Sequence, residues 1–197
     1  IRERTPFPAA LLGKLPNLKL IAQTGKVSGH VDVAAATAHG IAIAEGIGSP
    51  VAPAELTWAL IMAASRKILP YARNLKEGLW QTASLNPELN GLGRTLHGRT
   101  LGIWGYGKIG RMLAGYGKAF GMQVMVWGSE ASRAAAVADG CSAAASRAAF
   151  FAEADVLSLH LRLGPATRGI VTGEDLARMK PDALFVNTSR ANFQKSL

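Results

Sequence analysis

The chain has 197 residues, 49% hydrophobic and 18% charged, enough apolar material for one large or two small globular cores. No run reaches the ~18 to 20 apolar residues of a membrane-spanning helix. The charged start Ile1-Arg2-Glu3-Arg4 is not followed by an apolar stretch, so no secretory signal is expected. A single cysteine, Cys141, excludes an intramolecular disulfide and suits a reducing, cytoplasmic setting. The net charge of +9 favours anionic partners such as a nucleotide or a carboxylate. Because Lys and Arg recur singly rather than in blocks, nucleic acid is not indicated.

In chain order, Leu18 to Thr24 reads as a buried strand that ends at Gly25, and Ile41–Ala44 as a second short strand. Val31 to Ala38, rich in alanine, lies between them as a helix candidate. A long helix is expected from about Pro53 to Leu75, with Pro70 kinking or splitting it. Glu77 to Leu96 carries Gly78, Pro87, Gly91 and Gly93 and reads as a connector. From Thr100 the pattern becomes regular. Strands are expected at 100–104, 123–127, 156–160 and 183–187, with helices at 108–120, 131–138, 147–154 and 174–179. Alternating strands and helices predict a parallel sheet covered on both faces. A division is expected at residue 95, with a smaller, partial domain and its linking helix over 1–95 and the alternating strand–helix domain over 96–197.

Gly105-Tyr106-Gly107-Lys108-Ile109-Gly110 is a GxGxxG motif that follows an apolar strand and opens a helix. The first glycine permits the tight turn, the second lets backbone approach a pyrophosphate, and the third lets helix pack on strand. Phosphates would meet the unpaired N–H groups and the positive end of the helix dipole around Lys108 and Ile109. The motif therefore predicts NAD or NADP as cofactor. The acidic residue expected roughly 20 residues further on, to hold the adenosine ribose, is missing. Gly128 and Ser129 stand there, followed by Glu130 and Arg133. Ser129 and Arg133 could accept a 2′-phosphate, which tilts the reading toward NADP, whereas Glu130 on the ribose would mean NAD.

Several segments resemble the D-isomer-specific 2-hydroxyacid dehydrogenases, in particular phosphoglycerate dehydrogenases and glyoxylate and hydroxypyruvate reductases. The first is Leu96 to Gly110, the entry to the nucleotide domain. Asp155-Val156-Leu157-Ser158-Leu159-His160 with Thr167-Arg168-Gly169, and Met179-Lys180-Pro181 with Phe185-Val186-Asn187-Thr188-Ser189-Arg190-Ala191, resemble the second and third signatures. Upstream, Gly25-Lys26-Val27, Val31-Asp32 and Ala54-Glu55-Leu56 fit the same pattern.

The resemblance implies an α/β protein in which a Rossmann-type, doubly wound parallel sheet is joined to part of a smaller flavodoxin-like substrate domain. It implies hydride transfer between nicotinamide and a small 2-oxo or 2-hydroxy acid. Arg190 matches the arginine that binds the substrate carboxylate and polarises the carbonyl, a task suited to a planar guanidinium. Lys26 and Val27 match a loop facing the substrate, and His160, Thr188 and Ser189 match positions lining the cofactor pocket. The linking helix and connector match dimer-forming elements, so a homodimer is expected.

The family's general acid–base is a histidine supported by a glutamate beyond the Arg190 motif. His30, His39, His97 and His160 are the histidines of this chain, and none occupies that position. A fragment lacking the N-terminal start and the Glu/His segment is therefore expected. The alternative function is a catalytically incomplete dinucleotide-binding or dimerising module.

Overall fold

The structure, a computed structural model, describes residues 5–27, 29–81, 85–86 and 91–193. The charged start, Pro87 of the connector and the last four residues lie outside this set. The chain divides into two compact units, Ile1–Ser49 and Pro50–Leu197.

In the first unit, β1 (Leu20–Gln23) pairs in parallel with β2 (Ala42–Glu45). Helices α1 (Ala9–Leu12) and α2 (Val33–Ala38) accompany them, and Asp32 caps α2 by accepting from the Ala35 N–H. Leu12, Ile21, Val31, Ala36 and Ile41 form its small core.

The second unit opens with α3 (Val51–Ser65) and α4 (Ile68–Lys76). The expected single helix is split, but three residues before the proline. Lys67 adopts a left-handed conformation (φ 52°) and ends one helix while starting the next. Pro70 then falls in the first turn of α4, where its missing N–H has no intrahelical partner to lose. The placement of residues 50–95 also differs from the sequence reading. Helix α3 buries Ala54, Thr57, Ile61 and Ser65, and packs on α5 (Lys108–Ala119) and β7 (Leu184–Asn187). Its apolar face thereby joins the core of the second unit, and the compact division falls at Ser49 rather than near residue 95.

Five strands form the sheet: β3 (Thr100–Trp104), β4 (Gln123–Trp127), β5 (Ser142–Ala143), β6 (Val156–Leu159) and β7. Their order is β5-β4-β3-β6-β7, and every neighbouring pair is parallel. Between them run α5, α6 (Glu130–Ala138), α7 (Arg147–Glu153) and α8 (Gly173–Ala177). The strands are apolar on both sides because both faces are covered. Leu101, Ile103, Val124, Val126, Val156 and Val186 face α3, α5 and α6. Trp104, Met125, Leu157 and Leu159 face Phe150 and Phe151 of α7 and Phe193. Trp104, Phe150 and Phe151 meet edge to face, with centroids 5.6 to 6.0 Å apart. This is the doubly wound α/β architecture that the sequence predicts. The winding reverses between β3 and β6, so a ligand crevice belongs at the C-terminal ends of those strands.

Candidate cofactor and substrate site

Three loops leave the C-terminal edge of the sheet, and their backbone contacts join them in a chain. Gly105, directly after β3, has φ +102°. A Cβ there would lie 2.6 Å from the His160 carbonyl oxygen, so this turn admits no side chain on either ground. Its N–H donates to the Trp127 carbonyl at 3.1 Å. Gly110 sits in the first turn of α5, where a Cβ would meet the Gly105 carbonyl at 2.3 Å. Nothing lies within 4 Å of a Cβ at Gly107, the N-cap of α5. The first and third glycines thus hold the turn closed, while the second faces open space above helical N–H groups. An anionic group approaching there would meet backbone N–H groups rather than a side chain, as pyrophosphate binding requires. Lys108 and Ile109 begin the helix beneath it.

His160 follows β6, and its N–H donates to the Trp104 carbonyl at 2.8 Å. The fully buried Ser158 places its Oγ 2.7 Å from His160 Nε2. Burial lowers the imidazole pKa to about 4, so the ring is neutral near pH 7.

The segment after β7 is braced from two sides. Ser189 Oγ donates to the Leu159 carbonyl at 2.9 Å, tying it to the end of β6. Asn187 closes a local turn: its Oδ1 accepts from the Ser189 N–H (3.0 Å), and its Nδ2 donates to the Arg190 carbonyl (2.9 Å). Thr188 Oγ1 lies 2.7 Å from Oγ1 of Thr57, a fully buried residue of α3 whose hydroxyl is also 2.7 Å from the Pro53 carbonyl. Arg190 is exposed, and its Nη1 donates to the Ser189 carbonyl at 2.8 Å.

After β4, Ser129 caps α6 by accepting from the Ser132 N–H, and its Oγ lies 3.1 Å from the Ser132 Oγ. Arg133, half-buried, stacks on Trp127 with Cζ 4.9 Å from the ring centroid. It is held at the end of β4 rather than extended into solvent. Lys26 and Val27 belong to the first unit. There Glu45 accepts from Lys26 Nζ at 2.6 Å and from the Val27 N–H at 2.8 Å. Among the described residues, no group of three or more His, Cys, Asp or Glu side chains gathers to hold a metal.

Sequence reasoning missed Thr57 and Asn187. An Asn-Thr-Ser run at a strand end signals an Asx-type turn, so Asn187 was within reach. Thr57 pairs with a residue 131 positions away, and no local pattern marks it.

The fold and the glycine turn define a dinucleotide-binding protein. The family profile described as D-isomer specific 2-hydroxyacid dehydrogenase, NAD binding domain, matches residues 58–196. The chain belongs to that family. It is 35% identical over 191 residues to a D-3-phosphoglycerate dehydrogenase of Mycobacterium tuberculosis, covering 96% of this chain and 35% of the relative. It is 36% identical over 183 residues to a glyoxylate reductase of Aeropyrum pernix, covering 91% of this chain and 54% of the relative. A crystal structure of a phosphoglycerate oxidoreductase from Vibrio cholerae o395 superposes with a TM-score of 0.88 at 62% identity, covering 99% of this chain and 61% of that one. The chain therefore spans about a third to a little over half of the length of these curated relatives.

Proposed function

We propose that the protein serves an NAD(P)-dependent oxidoreductase reaction, moving a hydride between nicotinamide and a small D-2-hydroxy or 2-oxo acid. The observation that carries this is the continuity of the site. The glycine turn packs on the His160 carbonyl, and the adjacent Leu159 carbonyl receives Ser189 of the segment bearing Arg190. A cofactor lying on the turn and a carboxylate held by Arg190 would share one strand-end edge, where open α/β sheets take their ligands. The bound nicotinamide supplies the hydride. This chain's residues cradle the phosphates (Gly107, Lys108, Ile109), line the pocket (His160, Thr188, Ser189) and orient the acid through Arg190. Lys26 and Val27 are proposed on the substrate side. The names of the relatives point to 3-phosphoglycerate, glyoxylate and hydroxypyruvate as the compounds to try.

The absence of a carboxylate at Gly128 and Ser129, together with the stacked Arg133, supports NADP over NAD. Apolar side chains exposed along α3 and α4, among them Leu56, Leu60 and Leu69, support a homodimer. The lone cysteine supports a cytoplasmic setting. No helix among the described residues is long and apolar enough to cross a membrane.

A second reading, a dinucleotide-binding or dimerising module without turnover, is favoured by the state of His160. With a pKa of about 4 its ring is a neutral imidazole near pH 7, with Nε2 engaged by Ser158, and it is not an imidazolium acid poised to protonate a substrate oxygen. Calorimetric titration with NADH and NADPH, followed by glyoxylate or hydroxypyruvate at saturating cofactor, separates the readings. Oxidation of cofactor supports the enzyme, and cofactor binding without oxidation supports the module. Binding of neither cofactor would refute the enzyme and the dinucleotide-binding module alike, and a monomer by light scattering would refute the dimerising one. Arg190→Ala should weaken the oxo acid at least tenfold and leave cofactor affinity within twofold, while Arg133→Ala should erode any preference for NADPH.

A further inference from the structure

The residue between the first two glycines has a side chain that phosphate binding does not use, yet it is only 7% exposed. Tyr106 turns inward, beneath the turn, and its hydroxyl donates to Asp139 Oδ2 at 3.0 Å. Asp139 is the C-cap of α6, 33 positions away. Its carboxylate is also paired with Arg111 Nη1, and its carbonyl accepts from Lys118 Nζ at 2.5 Å, both from α5. Arg111 closes the triangle by stacking on the Tyr106 ring, Cζ 4.8 Å from the centroid. Burial, Cys141 and Asp139 all push the phenol above its usual range, so Tyr106 remains a donor.

A turn with glycine on both sides of one residue is conformationally permissive, and ordering it on binding costs free energy. Here the middle residue is pinned from below, and the pin reaches the first turn of α5 through Arg111. We infer that Tyr106 and Asp139 are positioning residues that brace the glycine turn and preorganise the α5 N–H groups for the nucleotide pyrophosphate. The inference rests on reading this turn as the nucleotide site.

The test uses the whole chain, with NADH binding followed by energy transfer from tryptophan, and ADP-ribose and adenosine as competitors. Measurements are made at a temperature where circular dichroism shows every variant folded. Tyr106→Phe and Asp139→Asn should each raise the Kd for NADH and ADP-ribose about three- to tenfold. The double variant should be no worse than the poorer single one, because both remove the same brace. Adenosine, which lacks phosphates, should bind as before. An effect on pyrophosphate ligands alone is one that lost core stability would not produce. Kd values for NADH within twofold of the unsubstituted chain, or adenosine weakened as much as NADH, would overturn the brace. Failure of the unsubstituted chain to bind either NADH or NADPH would overturn the nucleotide site itself, and the brace with it.

Discussion

The two ends of the five-stranded sheet are built on opposite principles. At the N-terminal end, charge is neutralised within the protein. Asp155, just before β6, accepts from the Thr100 N–H at 2.8 Å and from Lys180 Nζ at 2.9 Å, with Arg99 Nη1 at 3.3 Å. Burial pushes its carboxyl up, but these three donors outweigh it and hold the pKa below the usual carboxylate range. At the C-terminal end the backbone is fixed just as firmly, by glycine contacts, Asn187 and the Thr57–Thr188 pair. There, however, open space lies over Gly107 and Arg190 reaches the surface. A donor satisfied internally contributes to stability, and one held rigid toward solvent is available to a ligand. On the proposed function, the same sheet separates structural from binding duties by strand polarity.

Substitutions at each end should sharpen this contrast. The largest effect is expected at Gly110→Ala, where the new methyl must displace backbone. A loss of about 3 kcal/mol, or about 6 to 12 °C in Tm, should accompany loss of NADH binding. Asp155→Ala should cost about 2 kcal/mol by stranding Lys180 and Arg99, read as a lower urea midpoint, with NADH affinity unchanged. Weakened NADH binding in that variant would break the division between the two ends.

His160 provides a pH-dependent check. Its folded pKa of about 4 lies below the ordinary 6.5, so in this interval the unfolded chain binds the proton and the folded chain does not. Stability is full above about 6.5 and is lost as pH falls toward 4, on the order of 1 to 2 kcal/mol between pH 7 and 5. His160→Gln should flatten that slope in urea melts, and an unchanged slope would mean another group is responsible. The smallest effect belongs to Thr57→Val, which keeps shape but removes one hydroxyl from the pair. About 1 kcal/mol of stability should go, together with a looser Arg190 segment, seen as a higher KM for the oxo acid.

The strands were legible because apolar runs buried on both faces stand out against glycine-rich turns. Thr100–Trp104 and Gln123–Trp127 fall where the residues place them. The two-residue β5, Ser142–Ala143, carries no such signal, and its edge position follows only from pairing with β4. Pro70 was the visible breaker in the long helix, yet the break fell at Lys67, an ordinary lysine whose left-handed backbone nothing local announces. The glycine turn was readable because its requirements are local. The braces at this edge of the sheet were not: Tyr106 to Asp139 under the glycine turn, and Ser189 to Leu159 and Thr57 to Thr188 beside β7, span 33, 30 and 131 positions. Those partners are set by the sheet order, which periodicity does not encode.

Cys141 lies 8% exposed, with its sulfur 3.7 Å from the Tyr106 hydroxyl, below the glycine turn. As the chain's single thiol, it is a native reporter of how often this part of the molecule opens. A reagent such as a maleimide reacts only through states that expose the sulfur, so its labelling rate measures the free energy of that opening. A ligand gripping the turn above should slow the labelling in proportion to its occupancy, giving a count of closed molecules without any reaction having to turn over.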